Sequence, residues 1–184
     1  MNSTVSPLQT QRLFFALWPE PELGRRLHAL TEKTLRHDDA RRVAVENIHL
    51  TLAFLGSVDA SFRQCVEQAA AAIRAKTFTL TLQQIGCWSK TRILWAGPAH
   101  VPPPLLSLVT ALNAGLADCS YVPEKRPYAA HLTLARKVRR CPPQAPIEPL
   151  AWEVSRFCLV RSHMDAHGAH YEILREWALI PAAA

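Results

Sequence analysis

The sequence contains one hexapeptide almost twice, and this repeat constrains the fold more than any other feature. Residues 48–53 are IHLTLA and residues 130–135 are AHLTLA, so five of six positions are identical at a distance of 82 residues. Solenoid repeats span only about 20–50 residues, which makes this distance too long for a solenoid. It fits a chain that builds two structurally equivalent lobes, one around each copy.

Each copy has the period-two alternation of a β-strand. Residues i and i+2 of a strand face the same side, so His49 and Thr51 are predicted to share one face, and His131 and Thr133 likewise. The intervening leucines then point into a core. If the two strands face each other across a groove, two imidazoles and two hydroxyls surround one small volume.

The other elements favour an α+β fold over a doubly wound parallel sheet, because short strands are interspersed with helices. The patterns predict strands at 12–18, 48–55, 78–82, 92–96, 130–136, near 152–161 and near 170–180, and helices from about 20 to 37, from about 60 to 76 and over 104–118. Residues 1–11 are predicted to be a flexible lead-in, 141–149 a proline-rich loop, and 165–168 a turn.

The composition suits one domain over residues 12–184, made of two lobes sharing a core. Of the 184 residues, 49% are hydrophobic, which is enough for a core without structural metal or disulfides. The five cysteines are odd in number, scattered and without a C-x-x-C pair, which argues against a disulfide framework and a zinc knuckle and favours a reducing cytoplasm. We identify no signal peptide and no apolar run of the ~20 residues that span a bilayer. We therefore expect a soluble cytoplasmic protein and, with no obligate protein partner evident, a monomer.

The chain is basic, with a formal net charge of +6, and this favours an anionic partner such as RNA or a phosphate ester. Charge alone does not distinguish this from a merely solvated surface. Basic residues flank both hexapeptides, and as a group they are candidates for binding RNA backbone phosphates, although each by itself is better explained as an exposed charge: Arg41, Arg42, Lys137, Arg139 and Arg140.

Two histidines and two threonines around one volume suit phosphodiester hydrolysis without a metal. Attack at phosphorus needs a base for the water proton and an acid for the departing oxygen, and histidine serves both roles near neutral pH. Threonine hydroxyls can donate hydrogen bonds to the non-bridging oxygens, where charge accumulates. One such histidine on a strand is more often structural, but two in the same leucine-flanked context favour function.

The paired motifs resemble those of the two-histidine (2H) phosphoesterases, specifically the LigT-like RNA 2′,3′-cyclic phosphodiesterases, also called the 2′-5′ RNA ligase family. Further matches are LFFALWP at 13–19, FLG at 54–56, AR at 135–136 and the closing segment 171–179. The resemblance implies a bilobal, pseudo-twofold α+β fold in which two antiparallel sheets, flanked by helices, surround a central cleft. It implies no cofactor and no metal.

The resemblance also implies a reaction and roles. RNA ends or cyclic nucleotides would be the substrates, and a 2′,3′-cyclic phosphate would be opened to a 2′-phosphate, with reverse 2′-5′ RNA ligation as a linked activity. His49 matches the proton donor, His131 the proton acceptor, and Thr51, Thr133 and Arg136 match phosphate-binding residues. Sequence physics does not decide which histidine is the acid, because the two motifs are nearly identical.

Several alternatives stay open. Arg136 is five residues after His131, so on a regular strand it would face the opposite side unless a bulge intervenes. Tyr128 could stack on a base or pack at the rim. His163, His167 and His170 lie close in sequence, but no H-E-x-x-H or carboxylate pattern accompanies them, and a solvated turn explains them equally well. Other candidate functions are hydrolysis of another small ester, such as ADP-ribose cyclic phosphate or 2′-5′ oligoadenylate, and binding of RNA ends without catalysis.

Overall fold

The computed structural model describes residues 10–165 and 168–182 of the chain. Within those ranges nine strands, three α-helices and one short 3₁₀ helix follow one another. They are, in order, β1 (Gln11–Leu17), α1 (Pro21–Thr34), β2 (Arg41–Arg42), the 3₁₀ helix (Val45–Asn47), β3 (Leu50–Val58), α2 (Ala60–Ala72), β4 (Phe78–Trp88), β5 (Ile93–Gly97), α3 (Pro103–Ala117), β6 (Leu132–Arg136), β7 (Ala145–Val154), β8 (Arg156–Asp165) and β9 (Gly168–Ala178).

The strands form two antiparallel halves of four strands each. Their order across the sheet is β7-β4-β5-β6-β3-β1-β8-β9, with β2 added alongside β6. The two halves join where β3 pairs with β6, and the only residue pair recorded in that ladder is Leu50 with Leu132. Each half therefore contributes one copy of the repeated motif at the junction. The α+β class and the bilobal arrangement are confirmed, but the two predicted sheets are joined by the β3–β6 pair into one nine-stranded sheet.

The helices cover the core side of the strands. Pro21 starts α1, where its missing N–H costs no hydrogen bond. Asp59 caps α2 by accepting a hydrogen bond from the main-chain N–H of Phe62 at 2.8 Å. Leucines at helical spacing along α3 are buried, and α3 packs against α2 as well as against β3 and β4: Leu105, Leu108, Leu112 and Leu116.

The expectation that the cysteines form no disulfide framework is wrong. Cys65 and Cys119 form a disulfide between α2 and the segment after α3, and Cys87 and Cys141 form another between the end of β4 and the loop after β6. Their Cα atoms are 5.8 and 5.3 Å apart, within the usual range for disulfides. Both pairs span 54 residues, so the topology brings together thiols that look scattered in sequence. Cys158 remains a free, buried thiol.

Two predicted element boundaries are also wrong. Much of the expected loop at 141–149 belongs to β7, and the strand expected near 152–161 is the end of β7 followed by the start of β8. Pro146 and Pro149 lie within β7 and made it look like a loop. They are tolerated because β7 is at the edge of the sheet and pairs only with β4.

The structure tests the lead-in predicted at 1–11 and the turn predicted at 165–168 only in part. Gln11 is the first residue of β1, so the predicted lead-in reaches one residue too far. Its residues 1–9 lie outside the described part of the chain, and so do residues 166–167 of the predicted turn. In the described part, no helix is both long and apolar enough to cross a membrane.

Candidate active site

The β3–β6 junction places the two H-x-T motifs side by side. Because the strands are antiparallel and Leu50 is opposite Leu132, His49 is adjacent to Thr133 and Thr51 is adjacent to His131. Each imidazole thus has the other motif's threonine as its neighbour. The arrangement has local twofold symmetry, and its axis passes through the paired leucines.

The alternation predicted for the two motifs is confirmed. Leu50, Leu52, Leu132 and Leu134 are all buried in the core cluster. The histidines and threonines between them are partly exposed. His49, Thr51, Thr133 and Arg136 line a common cleft of about 780 Å³, a volume within the ~300–1,000 Å³ typical of small-molecule sites.

Both histidine rings are oriented in the same way by the main chain. The Nδ1 atom of His49 is 2.8 Å from the carbonyl oxygen of Asn47, and the Nδ1 atom of His131 is 2.8 Å from that of Ala129. A carbonyl oxygen only accepts, so each Nδ1 carries the proton in these contacts. Nε2 of each ring is consequently the atom left for proton transfer, as acceptor when the ring is neutral and as donor when it is protonated.

The surroundings keep both imidazoles neutral at pH 7. The pKa of His49 is lowered from 6.5 to about 4, mainly by burial. The hydrogen bond to the Asn47 carbonyl opposes this shift, and the positive charges of Arg136 and of protonated His131 contribute to it. Burial, with a contribution from Arg136, also lowers the pKa of His131. Two neighbouring titratable groups that share a cationic neighbour are a typical acid–base arrangement.

Aromatic side chains enclose His49. Its ring lies parallel to that of Trp18 at 4.9 Å, beside Phe14 at 4.9 Å and against the edge of Tyr171 at 4.9 Å between centroids. Trp88 contacts His131 edge to face at 4.6 Å. These contacts were not predicted from the sequence, which placed Trp18 only at the end of the strand predicted at 12–18. The only signal in the sequence was the aromatic richness of the segment at 13–19.

A β-bulge directs Arg136 into the cleft. Trp95 of β5 pairs with Thr133, whereas the preceding Leu94 pairs with Ala135, so β6 has one extra residue at Leu134. The extra residue reverses the side on which the following side chains emerge. Arg136 therefore emerges on the side of Thr133 and lines the cleft. The alternative left open by the sequence is resolved in favour of the bulge.

The sequence profile of the 2′-5′ RNA ligase superfamily matches residues 19–166. The chain belongs to this superfamily. Among curated relatives, RNA 2′,3′-cyclic phosphodiesterase of Escherichia coli (strain K12) is 33% identical over 174 residues, covering 93% of this chain and 98% of the relative. The enzyme of the same name from Aeropyrum pernix is 26% identical over 148 residues, covering 74% and 84%.

Solved structures of the superfamily share the whole fold. The apo crystal structure of E. coli LigT superposes with a TM-score of 0.84 at 32% identity, covering 94% of this chain and 99% of LigT. The complex of E. coli LigT with 3′-AMP gives a TM-score of 0.83 at 33% identity, covering 92% and 98%. These coverages show that the match extends through both lobes.

The flanking basic residues separate into different environments. Arg41 pairs with Arg136 in the β2–β6 ladder. Both Arg41 and Arg42 line the cleft. Arg42 also forms an ion pair with Glu32 at 2.6 Å and donates to the carbonyl oxygen of Leu35. The main-chain N–H of Arg139 donates to Asp38, beyond the residues that line the cleft. Of the predicted group, Arg41 and Arg42 are the members placed at the site.

Tyr128 connects the two motifs. Its hydroxyl donates to the carbonyl oxygen of Thr51 at 2.9 Å, and its ring is partly buried against the core, so rim packing is the role the structure supports. Of the three clustered histidines, His170 lines the cleft, His163 contacts Glu172 at 3.4 Å, and His167 lies outside the described residues. Among the described residues no three histidine, cysteine or acidic side chains converge as metal ligands.

Proposed function

We propose that this chain hydrolyses RNA 2′,3′-cyclic phosphate ends to 2′-phosphates by a two-histidine acid–base mechanism. The observation that carries the proposal is the paired arrangement at the β3–β6 junction. Each imidazole has Nδ1 bound to a main-chain carbonyl and Nε2 left for proton transfer. His49 lines the cleft together with Thr51, Thr133 and Arg136. His131 is not among the residues lining that cleft, and it is adjacent to Thr51 in the β3–β6 register. The relatives named as RNA 2′,3′-cyclic phosphodiesterases support the same activity.

In the proposed reaction His131 accepts a proton from water as the water oxygen attacks phosphorus. The bond between phosphorus and the 3′ oxygen breaks, and His49 donates a proton to that oxygen, which becomes the 3′-hydroxyl. Thr51, Thr133 and Arg136 stabilise the negative charge on the non-bridging oxygens. Proton exchange with solvent then restores both rings. The donor and acceptor roles rest on the resemblance to the family.

The bound phosphate has a second task in this scheme. In the free protein His49 has a pKa of about 4 and is neutral at pH 7, so it cannot yet act as a proton donor. The negative charge of a phosphodiester beside the ring opposes this shift, since a neighbouring anion favours the protonated imidazole. Substrate binding therefore raises the fraction of His49 that carries the catalytic proton.

The test is incubation with 2′,3′-cyclic nucleotides and identification of the monophosphate isomer formed. The proposal expects the 2′-phosphate, activity that survives EDTA, and losses of orders of magnitude in kcat/KM for His49→Gln and His131→Gln. His100→Gln is the matched control, because His100 is exposed and lies outside the cleft. Near-wild-type turnover in either motif variant, or release of the 3′-phosphate, would refute the mechanism.

The name of the 2′-5′ RNA ligase superfamily favours a second activity of the same site, which is 2′-5′ RNA ligation. The 5′-hydroxyl of another RNA end then replaces water as the nucleophile, and a 2′-5′ phosphodiester forms with the same proton transfers. Hydrolysis should dominate, because water is present at far higher concentration. Mixing a cyclic-phosphate RNA with a labelled 5′-hydroxyl RNA detects the joined product.

A cytoplasmic location and a monomeric state also stay proposals. The cytoplasmic expectation rested on unpaired cysteines, and the two disulfides remove that argument. Thiol trapping in intact cells tests it, since fully oxidised pairs there would contradict a reducing compartment. Light scattering of the purified protein tests the monomer.

A further inference from the structure

The carbonyl oxygen that orients each histidine belongs to a different kind of segment in the two lobes. Asn47, whose carbonyl contacts Nδ1 of His49, is the last residue of the 3₁₀ helix Val45–Asn47. The main-chain N–H of Asn47 donates to the carbonyl oxygen of Ala44 at 2.9 Å and closes this turn. Local secondary structure therefore fixes the partner of His49.

The partner of His131 lies in an irregular segment. Ala129, whose carbonyl contacts Nδ1 of His131, is three residues before the start of β6 at Leu132. In the described chain, residues 127–131 belong to no helix or strand. The position of the Ala129 carbonyl therefore depends on tertiary contacts, because no helix and no strand ladder holds it.

Tyr128, the residue directly before Ala129, supplies such a contact. Its hydroxyl donates to the carbonyl oxygen of Thr51 at 2.9 Å, across 77 residues of sequence and from one lobe to the other. The ring packs against the core, and burial raises the pKa of the phenol, so the hydroxyl stays protonated and able to donate. The bond joins the segment before His131 to the strand of the first motif.

The junction between the lobes is short, which gives this bond its importance. Leu50 with Leu132 is the only residue pair recorded between β3 and β6. Thr51 is adjacent to His131 in that register. The Tyr128 hydroxyl therefore connects the two motifs one residue beyond the recorded pair, on the side where His131 lies.

We propose that Tyr128 is a positioning residue for His131, which holds the carbonyl of Ala129 in place against the strand of the first motif. The catalytic consequence rests on the proposed function, in which His131 accepts the proton of the attacking water. Tyr128 is not among the residues lining the cleft, and it acts through the imidazole.

The hydrogen bond to Ala129 determines which nitrogen of neutral His131 carries the proton. With the proton on Nδ1, Nε2 is free to accept another. Without the Tyr128 hydroxyl the segment before β6 gains freedom, and some of the rings take the other tautomer, with the proton on Nε2. Such a ring cannot accept a proton at Nε2, and a displacement of about 1 Å by itself costs up to roughly a hundredfold in rate.

The test is Tyr128→Phe, which keeps the buried ring and removes only the hydroxyl. We expect kcat on a 2′,3′-cyclic nucleotide to fall roughly tenfold or more, with KM changed little, because Tyr128 does not line the cleft. Long-range ¹H–¹⁵N NMR spectra above pH 7, where both rings are neutral, report the tautomer of each imidazole. The fraction of His131 protonated at Nδ1 should fall, and that of His49 should not change, because the 3₁₀ helix holds its partner.

Tyr121→Phe is the matched control, because Tyr121 is likewise half-buried against the core and is not among the residues lining the cleft. It should leave kcat and both tautomers unchanged. An unchanged tautomer of His131 in Tyr128→Phe overturns the proposal, and so does an unchanged kcat in an active enzyme, even if thermal stability falls. If the wild type hydrolyses no cyclic nucleotide, the proposed function fails, and the NMR comparison still tests the positioning of His131.

Discussion

The imidazole of His49 lies parallel to the indole of Trp18, with their planes 11° apart and their centroids separated by 4.9 Å. Phe14 and Tyr171 occupy two further sides of the same imidazole. Phe14 belongs to a small buried apolar cluster that also contains Ala16, Cys158 and Val160. This enclosure removes water from one catalytic candidate, and burial is the largest cause of its lowered pKa.

Removing the indole should therefore raise the pKa of His49. Trp18→Ala admits water to the ring, and we expect the pKa to move from about 4 toward the ordinary value of 6.5. NMR titration of the imidazole resonances measures the change. Trp88→Ala is the matched control, since Trp88 contacts His131 and not His49, and should shift the titration of His131 instead. A pKa of His49 that stays near 4 in Trp18→Ala would contradict the enclosure argument.

The lowered pKa values also predict the pH dependence of the reaction. In the productive enzyme one of the two histidines is protonated and the other is neutral. A plot of kcat/KM against pH is therefore bell-shaped, and its maximum lies between the two pKa values of the free enzyme. Burial lowers the pKa of both His49 and His131, so the maximum should lie below pH 6.5. On the alkaline side kcat/KM falls as the donor loses its proton, and on the acid side as the acceptor gains one.

Initial rates at low substrate concentration between about pH 4 and pH 9 measure this profile. A maximum above pH 7 would contradict it. Exchanging the roles of the two histidines gives the same bell, so the profile tests the environment of the pair and not the assignment of acid and base. The profile of kcat should lie at higher pH, because bound phosphate stabilises the protonated ring.

The sequence predicted those parts of the site that depend on local periodicity. Alternation alone placed His49 and Thr51 on one face and their leucine neighbours in the core, since a strand has only two faces. It could not place Arg136, because Arg136 follows a bulge, and a bulge is fixed by pairing with the neighbouring strand. The position of this bulge depends on contacts that no local pattern contains.

Long-range contacts explain the other errors. Cys65 and Cys119 are 54 residues apart and meet only because α2 packs on α3. The prolines of β7 are compatible with a strand only because that strand is at an edge, which is a property of the whole sheet. Trp18 follows β1 directly, and only the folded chain shows that it stacks on His49.

Arg136 should contribute to catalysis through charge and geometry together. Its guanidinium faces the cleft and can bind two phosphate oxygens at once. We expect Arg136→Ala to lower kcat/KM roughly a hundredfold, by analogy with removal of one donor to a developing oxyanion. Arg136→Lys should recover part of the loss, because lysine keeps the charge but not the two-pronged donor arrangement. Arg139→Ala is the control and should change kcat/KM little, because Arg139 is not among the residues lining the cleft. Equal losses of kcat/KM in Arg136→Ala and Arg139→Ala would indicate only general electrostatic attraction.

Arg136 also lowers the pKa of both histidines, which gives a second readout of its position. In Arg136→Ala the imidazole titrations should move to higher pH, whereas in Arg136→Lys they should stay near the wild-type values. A loss of activity without any movement of the titrations would place the guanidinium away from the histidine pair.

The two disulfides should have different consequences for activity. Each closes a loop of similar length, so removing either pair by Cys→Ala substitution is expected to lower the free energy of unfolding by about 2–4 kcal/mol. Cys87 directly precedes Trp88, which packs on His131, whereas the Cys65–Cys119 bond joins two helices. Loss of the Cys87–Cys141 bond should therefore also lower kcat/KM, and loss of the Cys65–Cys119 bond should not.

Denaturation curves and initial rates for the two double variants measure both effects. Counting thiols tests the pairing itself, because the unreduced, denatured chain should expose one thiol, that of Cys158. In the folded protein this thiol should not react, since burial raises its pKa to about 12. Five thiols in the unreduced protein would contradict both bonds. Equal activities of the two double variants would not contradict the disulfide pairing. They would show that the position of Trp88 has no effect on the chemistry at His131.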